Sequence, residues 1–394
     1  MDCLFLLRKA TQLMTFWFGW LIFGGVVIWT VPPVLWFVWR RLRAVATDSL
    51  PDLPSVSIIV PACNEADAIE QCLKSLLNLD YPQLEIIAIN DRSTDSTGEI
   101  MERVAVADER CRIIHVTELP AGWLGKNHAM HMAAQQASGK LLLFTDGDII
   151  HEAAALRSAV CYLNARRLQH LCLLPRMLPG GYFENCVVAF FGFAFAIGQQ
   201  VHLTGTRWPF AYAGVGAFNL IDAKFYHSFG GHQRLAMDVI DDAKLGKLVK
   251  QHGGRQDFLG APDLLSIRWY NSLWGVILGL EKNGFAALGY SIRALAVTTV
   301  LFLTTMVWPY VAVVVYPWAQ SSGFAATIIV WHLMYTIVAM SFGGSILLAP
   351  MFPVASWLMS FAFWRSSWVT LRQGGVRWRN SFYSLQELKD GLYR

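Results

Sequence analysis

Charge is scarce in this chain. Asp, Glu, Lys and Arg supply 15% of its 394 residues, against 55% hydrophobic residues and 16 tryptophans. A soluble enzyme carries roughly a quarter charged residues, so part of the chain is expected to face lipid. The seven cysteines show neither paired nor metal-ligand spacing, which argues against a disulfide framework and points to reduced, mostly buried thiols. No Asn-X-Ser/Thr site occurs. A G-x-x-x-x-G-K-[ST] loop is also missing, and "AGVGAF" is too short and too far from a first strand to be a dinucleotide fingerprint. A nucleotide would therefore have to be held by carboxylates, a metal and cations. The net charge of +4 makes no case for nucleic acid.

Uncharged runs are what the chain has instead. Thr15 to Trp39 is long enough to cross a hydrocarbon core of about 30 Å. Arg40, Arg41 and Arg43 follow it where a signal peptide would have small residues, so residues 1–45 read as a retained anchor. Two further runs follow Arg293, the first with Pro309 as an expected kink, and "FPVASWLMSFAFW" is short for a span. Residues 290–368 are thus expected to hold transmembrane and interfacial helices. Arginines near membrane ends favour the cytosolic side. Those after the first span, with Arg365, Arg372, Arg377 and Arg379 near the end, place the middle of the chain and a tail, 369–394, in the cytosol, while Arg8 and Lys9 vote the other way.

Between the membrane parts, residues 52–288 read as one α/β domain. "SVSIIVPACNEA", "LEIIAINDRSTDST", "CRIIHVTE" and "KLLLFTDGD" are apolar strands ending in polar turns, and helical spacing lies between them. This alternation predicts a largely parallel sheet, whose ligands bind beyond the carboxyl ends of the strands. Asn64 and Glu65, Asp91, and Asp146 with Asp148 fall at such ends. Asp146 and Asp148 would repel unless something positive lay between them, and a divalent cation suits two carboxylates. Read singly, Asp91, Ser93 and Asp95 could instead cap the next helix.

"SIIVPACNEA", "AINDRSTDST", "GWLGKNHAM", "LLLFTDGDI", "VIDDAKLGKLVKQHG" and "SIRWYNS", in this order, resemble the membrane-bound family 2 glycosyltransferases of GT-A fold. The likeness is greatest to the branch of hopanoid-associated, carotenoid and ceramide glycosyltransferases. It implies that Asp91 hydrogen-bonds a nucleotide base in a pocket lined by Asn64 and Glu65, and that Asp146 and Asp148 hold Mg²⁺ or Mn²⁺ against a diphosphate. It also gives Lys126 and Arg268 to the diphosphate and Trp269 to a sugar. By the same alignment Asp242 is the general base, with Asp241 beside it. Competing readings remain open for several of these residues. Lys126 could simply be solvated, Trp269 could be an interfacial anchor, and Asp238, Asp241 and Asp242 could only favour a helix N-terminus.

The implied reaction is inverting transfer of a sugar from a nucleotide-diphosphate donor, a UDP-sugar, to a membrane lipid such as a hopanoid, carotenoid or sphingolipid. Residues 184–201, almost wholly apolar, read as an interfacial helix that brings the site to the membrane or as a buried core helix. "AYAGVGAFNLIDAKFYHSFGGH" resembles the family's acceptor-side loop, rich in glycine where backbone passes close to a ligand. Leu265 stands where the family's Q/R-x-x-R-W motif has Gln or Arg, which counts against a processive polysaccharide synthase. Two rival classes are a catalytically silent nucleotide- or lipid-binding protein and a nucleotidyltransferase; "PACNEA" lacks the glycine-rich start expected of the latter.

Overall fold

The computed structural model describes residues 2–45, 53–270, 272–379 and 381–393. The domain start expected at residue 52, and Asn271 of "SIRWYNS", lie outside them. The chain divides into two compact units: Met1–Val38, Pro179–Gln200 and Tyr270–Trp368 form one, and Trp39–Leu178, Val201–Trp269 and Val369–Arg394 form the other.

The first unit is helical. It holds α1 (Asp2–Trp39), α6 (Tyr182–Gln199), α9 (Leu273–Ala287), α10 (Ile292–Phe302), α11 (Trp308–Val315), α12 (Trp318–Ser341) and most of α13 (Phe352–Gln373). Five stretches are long and apolar enough to cross a membrane: Phe5–Trp39, Tyr182–Gln199, Ile292–Val315, Trp318–Ser341 and Ile346–Gln373. The last exceeds the short segment expected from the sequence. A 3-10 turn, Ile346–Met351, leads into α13, and the helix continues through Arg365, whose guanidinium pairs with Glu281 at 2.9 Å. Read from the sequence, residues 346–350 belong to the preceding run and the segment stops before Arg365, whereas the apolar stretch is continuous from Ile346 and the helix runs past that charge.

Small residues and aromatics hold this unit together. A Cβ on Gly323 of α12 would meet the backbone carbonyl carbon of Gly19 in α1 at 2.5 Å, so the two helices touch backbone to backbone. Between α10 and α11 the residues Leu303–Val307 form a π-turn just before Pro309, the position where the sequence predicted a kink. There the Trp331 indole donates to the Thr305 carbonyl at 3.0 Å. Phe193, Trp331 and Phe352 pack ring against ring, and the Tyr335 hydroxyl donates to the Cys186 carbonyl at 3.1 Å.

The second unit is the α/β domain. Its strands are β1 (Val56–Ala62), β2 (Leu84–Asp91), β3 (Cys111–Val116), β4 (Leu141–Phe144), β5 (Ile149–His151), β6 (His170–Leu174), β7 (Arg176–Met177), β8 (Asn219–Asp222), β9 (Gln256–Gly260), β10 (Leu265–Ile267), β11 (Gly375–Trp378) and β12 (Ser381–Ser384). Its helices are α2 (Ile69–Leu77), α3 (Thr97–Ala107), α4 (Gly125–Gln136), α5 (Ala155–Arg166), α7 (Ala223–Ser228), α8 (Asp241–Gln251) and α14 (Leu385–Asp390). Seven strands form the main sheet in the order β3-β2-β1-β4-β8-β6-β9; all neighbours run parallel except at β8, which is antiparallel to both β4 and β6.

Ile58, Ile59, Val60, Ile86, Ile87, Leu142 and Leu143 are buried, as expected of strands covered on both faces. Helix α4 packs Ala129, Met130, Ala133 and Ala134 onto them, joined by Leu245 and Leu248 of α8. A smaller sheet, β5-β10-β7, aligns Ile267 with Ile149, so the chain leaving β10 at Arg268 starts beside the segment that follows Asp148. At the far edge of the main sheet the segment after α1 pairs with β9: Leu42 N–H donates to Gly260 O at 2.8 Å and Gly260 N–H to Arg40 O at 2.9 Å. Arg40 also reaches Asp257 at 2.9 Å and Tyr162 at 2.7 Å.

The tail Val369–Arg394 belongs to this unit too. Its β11–β12 hairpin leads into α14, which is capped by Ser384 and Glu387.

Candidate active site

Three strands of the sheet deliver carboxylates to one edge. Asp91 is the last residue of β2, Asn64 and Glu65 follow β1, and Asp146 and Asp148 follow β4. The loop after β1 is stitched to the loop after β2. Asn64 N–H donates to Ser93 Oγ at 3.0 Å, Glu65 N–H to Thr97 Oγ1 at 2.8 Å, and Thr94 N–H to Asn64 Oδ1 at 2.8 Å. Asn64 adopts φ 56, a left-handed conformation that asparagine tolerates better than most residues. The N-cap of α3 is Ser96; Asp95 accepts from Thr97 N–H at 3.0 Å in a turn just ahead of it, and none of Asp91, Ser93 and Asp95 is the cap. Asp91 is buried, and the Arg92 guanidinium holds both its oxygens at 2.8 and 3.2 Å.

Lys126 opens helix α4 and sits at the centre of the carboxylates. Its ammonium lies 2.7 Å from Asp146 Oδ1 and 3.8 Å from Asp241 Oδ2. Burial alone would depress that ammonium's pKa, but Asp146, Asp241 and Asp242 outweigh it and hold it above the ordinary lysine range. The solvated reading of Lys126 is thereby replaced.

Asp241 and Asp242 begin α8, as the sequence predicted, with Leu245 and Leu248 turned inward. Asp242 Oδ2 accepts from Gly216 N–H at 2.9 Å, and its Oδ1 accepts from Ala243 N–H at 2.7 Å. Burial pushes the Asp242 carboxyl up, with Lys126 opposing. These acids therefore do more than favour a helix terminus. Asp238 is fully buried and takes a hydrogen bond from Tyr393 N–H at 2.8 Å; burial raises its pKa to about 6, against Lys244.

The glycine-rich loop before β8 is glycine-rich because it threads between these acids. A Cβ on Gly216 would lie 2.2 Å from Asp146 Oδ2, and one on Gly214 would lie 1.8 Å from the Asp242 carbonyl oxygen. Asp146 N–H donates to Gly216 O at 2.9 Å. At these two positions the backbone passes close to the site's own acids, to the Asp146 carboxylate at Gly216 and to the Asp242 main chain at Gly214.

Residues that the sequence reading did not single out complete the arrangement. Thr145, Asn219 and His232 join Lys126, Asp146 and Asp242 around a narrow cleft. Burial, reinforced by Lys126, lowers the His232 pKa to about 3, and its Nδ1 meets the Tyr226 hydroxyl at 2.7 Å. Arg379 of the tail pairs with Glu65, and Tyr383 accepts from Gly125 N–H at 3.3 Å. Arg268 is exposed and Trp269 half-buried, directly after β10.

The donor set fits a divalent cation. Asp148 Oδ1 is buried with no hydrogen-bond partner among the described residues. Burial first, then Asp146 and Glu65, lift the Asp148 carboxyl to about 7. A hard cation shared with a phosphate oxygen would relieve both conditions. Among the described residues, no cluster of three or more His, Cys, Asp and Glu side chains could hold a metal unaided.

Comparison with known proteins agrees with this geometry. Residues 57–177 match the family model for Glycosyl transferase family 2. A probable glycosyltransferase, YdaM, of Bacillus subtilis is 33% identical over 28% of this chain and 26% of its own length. The 4,4'-diaponeurosporenoate glycosyltransferase of Staphylococcus haemolyticus is 25% identical over 50% of this chain and 52% of its own. The GalNAc(5)-diNAcBac-PP-undecaprenol beta-1,3-glucosyltransferase of Campylobacter jejuni is 33% identical over 24% of this chain and 30% of its own. The chain thus spans between about a quarter and a half of these curated relatives. Among solved structures, the mannosyltransferase PcManGT of Pyrobaculum calidifontis, in complex with GDP-Man and Mn²⁺, superposes with a TM-score of 0.55 at 18% identity, covering 91% of this chain and 98% of that one. The chain has the GT-A fold, and its residues 57–177 are similar to the Glycosyl transferase family 2 model.

Proposed function

We propose that this protein is an inverting glycosyltransferase that moves a sugar from a nucleotide-diphosphate donor, a UDP-sugar, to the hydroxyl or carboxyl of a membrane lipid. The observation that carries the reading is Lys126, held between Asp146 after β4 and Asp241 at the start of α8, with Asp242 one residue on. A phosphate-seeking cation, a metal-type carboxylate pair and a candidate base thus meet at one sheet edge.

Asp242 takes the acceptor proton, and burial, by raising its proton affinity, suits it to that step. Gly216 N–H fixes one of its oxygens, so the other faces a limited set of directions. The acceptor oxygen attacks the anomeric carbon as the bond to the diphosphate breaks, and the electron pair leaves with the diphosphate. Lys126 and Arg268 meet the charge that develops there. Asp146 and Asp148 would hold Mg²⁺ or Mn²⁺, which when bound supplies further positive charge to the leaving group. Asn64, Glu65 and Asp91 line the nucleotide end, and Trp269 offers a flat face to a sugar.

The lipid acceptor is supported by five helices long and apolar enough to cross a membrane and by relatives named for diaponeurosporenoate and for an undecaprenol-linked acceptor. Hopanoid, carotenoid and sphingolipid-like lipids are the classes to try. We place the protein in the cell membrane with the α/β unit in the cytoplasm, on the arginines after the first span.

The test is release of nucleoside diphosphate from a panel of UDP-, GDP- and dTDP-sugars by the detergent-purified protein, with Mn²⁺ or Mg²⁺, with and without membrane lipid extract. Lipid-stimulated, metal-dependent release from one donor, lost in Asp242→Asn, is the expected result. Nucleotide binding without release from any donor would favour a silent binder.

A further inference from the structure

The hairpin formed by β11 and β12 pairs Trp378 with Ser381, which puts Arg379 at its tip. Arg379 has φ 52, a left-handed conformation that costs a non-glycine residue about 1 kcal/mol. Its neighbours are fastened to the loops of the candidate active site. Ser381 Oγ accepts from Arg92 Nη1 at 3.3 Å, and the Tyr383 hydroxyl accepts from Gly125 N–H at 3.3 Å. Farther along, the Lys244 ammonium donates to the Tyr393 carbonyl, and Tyr393 N–H donates to Asp238. The tail thus holds its tip arginine against the loops that follow β1 and β2.

At that position Arg379 meets Glu65, whose carboxyl burial pushes up and Arg379 holds down. Arg379 Nη2 pairs with Glu65, and Nη1 donates to the Asn64 carbonyl at 3.4 Å. Both partners are partly solvated, 44% and 29% exposed, so breaking the pair costs little. Lys126, less exposed and paired with Asp146, meets a diphosphate from a fixed position. An incoming diphosphate adds negative charge to a site already holding Glu65, Asp146 and Asp148, and a further cation that can turn toward it lowers that repulsion. A guanidinium can bind two phosphate oxygens at once.

We propose that Arg379 is a donor-binding residue, which releases Glu65 and takes a phosphate of the nucleotide when the donor enters. This rests on the glycosyltransferase reading and extends it to a tail residue well beyond "SIRWYNS", the last motif of the resemblance.

The test is calorimetric binding of UDP and of GDP, with Mn²⁺, to the full-length detergent-purified protein. Wild type is compared with Arg379→Ala, Arg379→Lys, Glu65→Gln and the double variant Arg379→Ala/Glu65→Gln; thermal unfolding midpoints verify that each is folded. Arg379→Ala is expected to weaken nucleotide binding tenfold or more, and Arg379→Lys to recover part of it. The double variant decides between roles. If Arg379 only neutralises Glu65, removing both charges restores wild-type affinity and the inference is overturned; if it binds phosphate, the double variant stays weak. Affinity unchanged in Arg379→Ala overturns the inference alone. Absence of nucleotide binding by wild type overturns the glycosyltransferase reading and the inference with it.

Discussion

The Gly216 amide donates to Asp242 at 2.9 Å while the Gly216 carbonyl accepts from the Asp146 amide at 2.9 Å, so one residue joins the candidate base to the candidate metal pair. Its lack of a side chain is what permits this. An alanine Cβ would stand 2.2 Å from Asp146 Oδ2, and the carboxylate would have to swing away from Lys126. Gly216→Ala is therefore expected to lower turnover about 100-fold, the scale on which a displacement of about 1 Å acts, with the unfolding midpoint little changed. Full activity would show that the Asp146 carboxylate can move without consequence.

Asp242→Asn should lower turnover by roughly 10² to 10⁴ while nucleotide binding persists. The pH profile follows from the raised carboxyl. A base works unprotonated, so the rate falls as pH drops through the Asp242 pKa, and that acid limb should lie above the ordinary carboxylate range. Lys126 opposes the rise, so Lys126→Met should carry the limb to still higher pH in whatever activity remains. An unmoved limb would assign it to another group.

Asp148 Oδ1, buried without a hydrogen-bond partner among the described residues, is where loss of metal should be felt. Mn²⁺ with a nucleoside diphosphate should raise the unfolding midpoint of wild type, and chelation should reverse it. At a hundredfold excess over Kd such binding is worth about 2.7 kcal/mol. Asp148→Asn should lose the response to the metal. A response equal to wild type would move the cation elsewhere.

Asp238 gives a prediction about stability. Its folded pKa of about 6 exceeds the 3.8 of a free Asp, so the native state binds this proton more tightly than the unfolded state. The corresponding stability is fully present below about pH 4 and lost as pH rises through about 6, in total about 3 kcal/mol. Asp238→Asn should therefore gain on wild type between about pH 4 and pH 7, seen as a diverging difference in unfolding midpoint. A constant difference would mean that Lys244 already neutralises the acid.

The strand ends were legible because alternating apolar runs closed on polar turns, and Asp146 and Asp148 stood out as like charges with one glycine between them. Lys126 could be found because its loop precedes a helix. Arg379 and Tyr383 could not, since nothing local to the tail records that it returns to loops 314 and 258 positions earlier in the chain. The antiparallel course of β8 was equally hidden: its four residues, Asn-Leu-Ile-Asp, suit either direction. The glycine-rich stretch stood out for closeness of backbone, while the neighbours that Gly214 and Gly216 meet, Asp242 and Asp146, come from segments distant in the chain. The full length of the last apolar stretch was missed because Pro350 and Pro353 look like a break, whereas a 3-10 turn over Ile346–Met351 leads directly into α13.

The pairing of Arg40 and Leu42 with Gly260 bears on how the α/β unit can be handled in isolation. Strand β9 ends the main sheet, and the chain leaving the first helix is what covers part of its outer rim. A soluble fragment begun at Leu53 would expose those backbone groups as a template for strand addition by a second molecule. It would also strip Asp257 of its arginine while Tyr162 still donates to it. A fragment begun at Trp39 keeps the cover, and of the two it should be the one that stays monomeric.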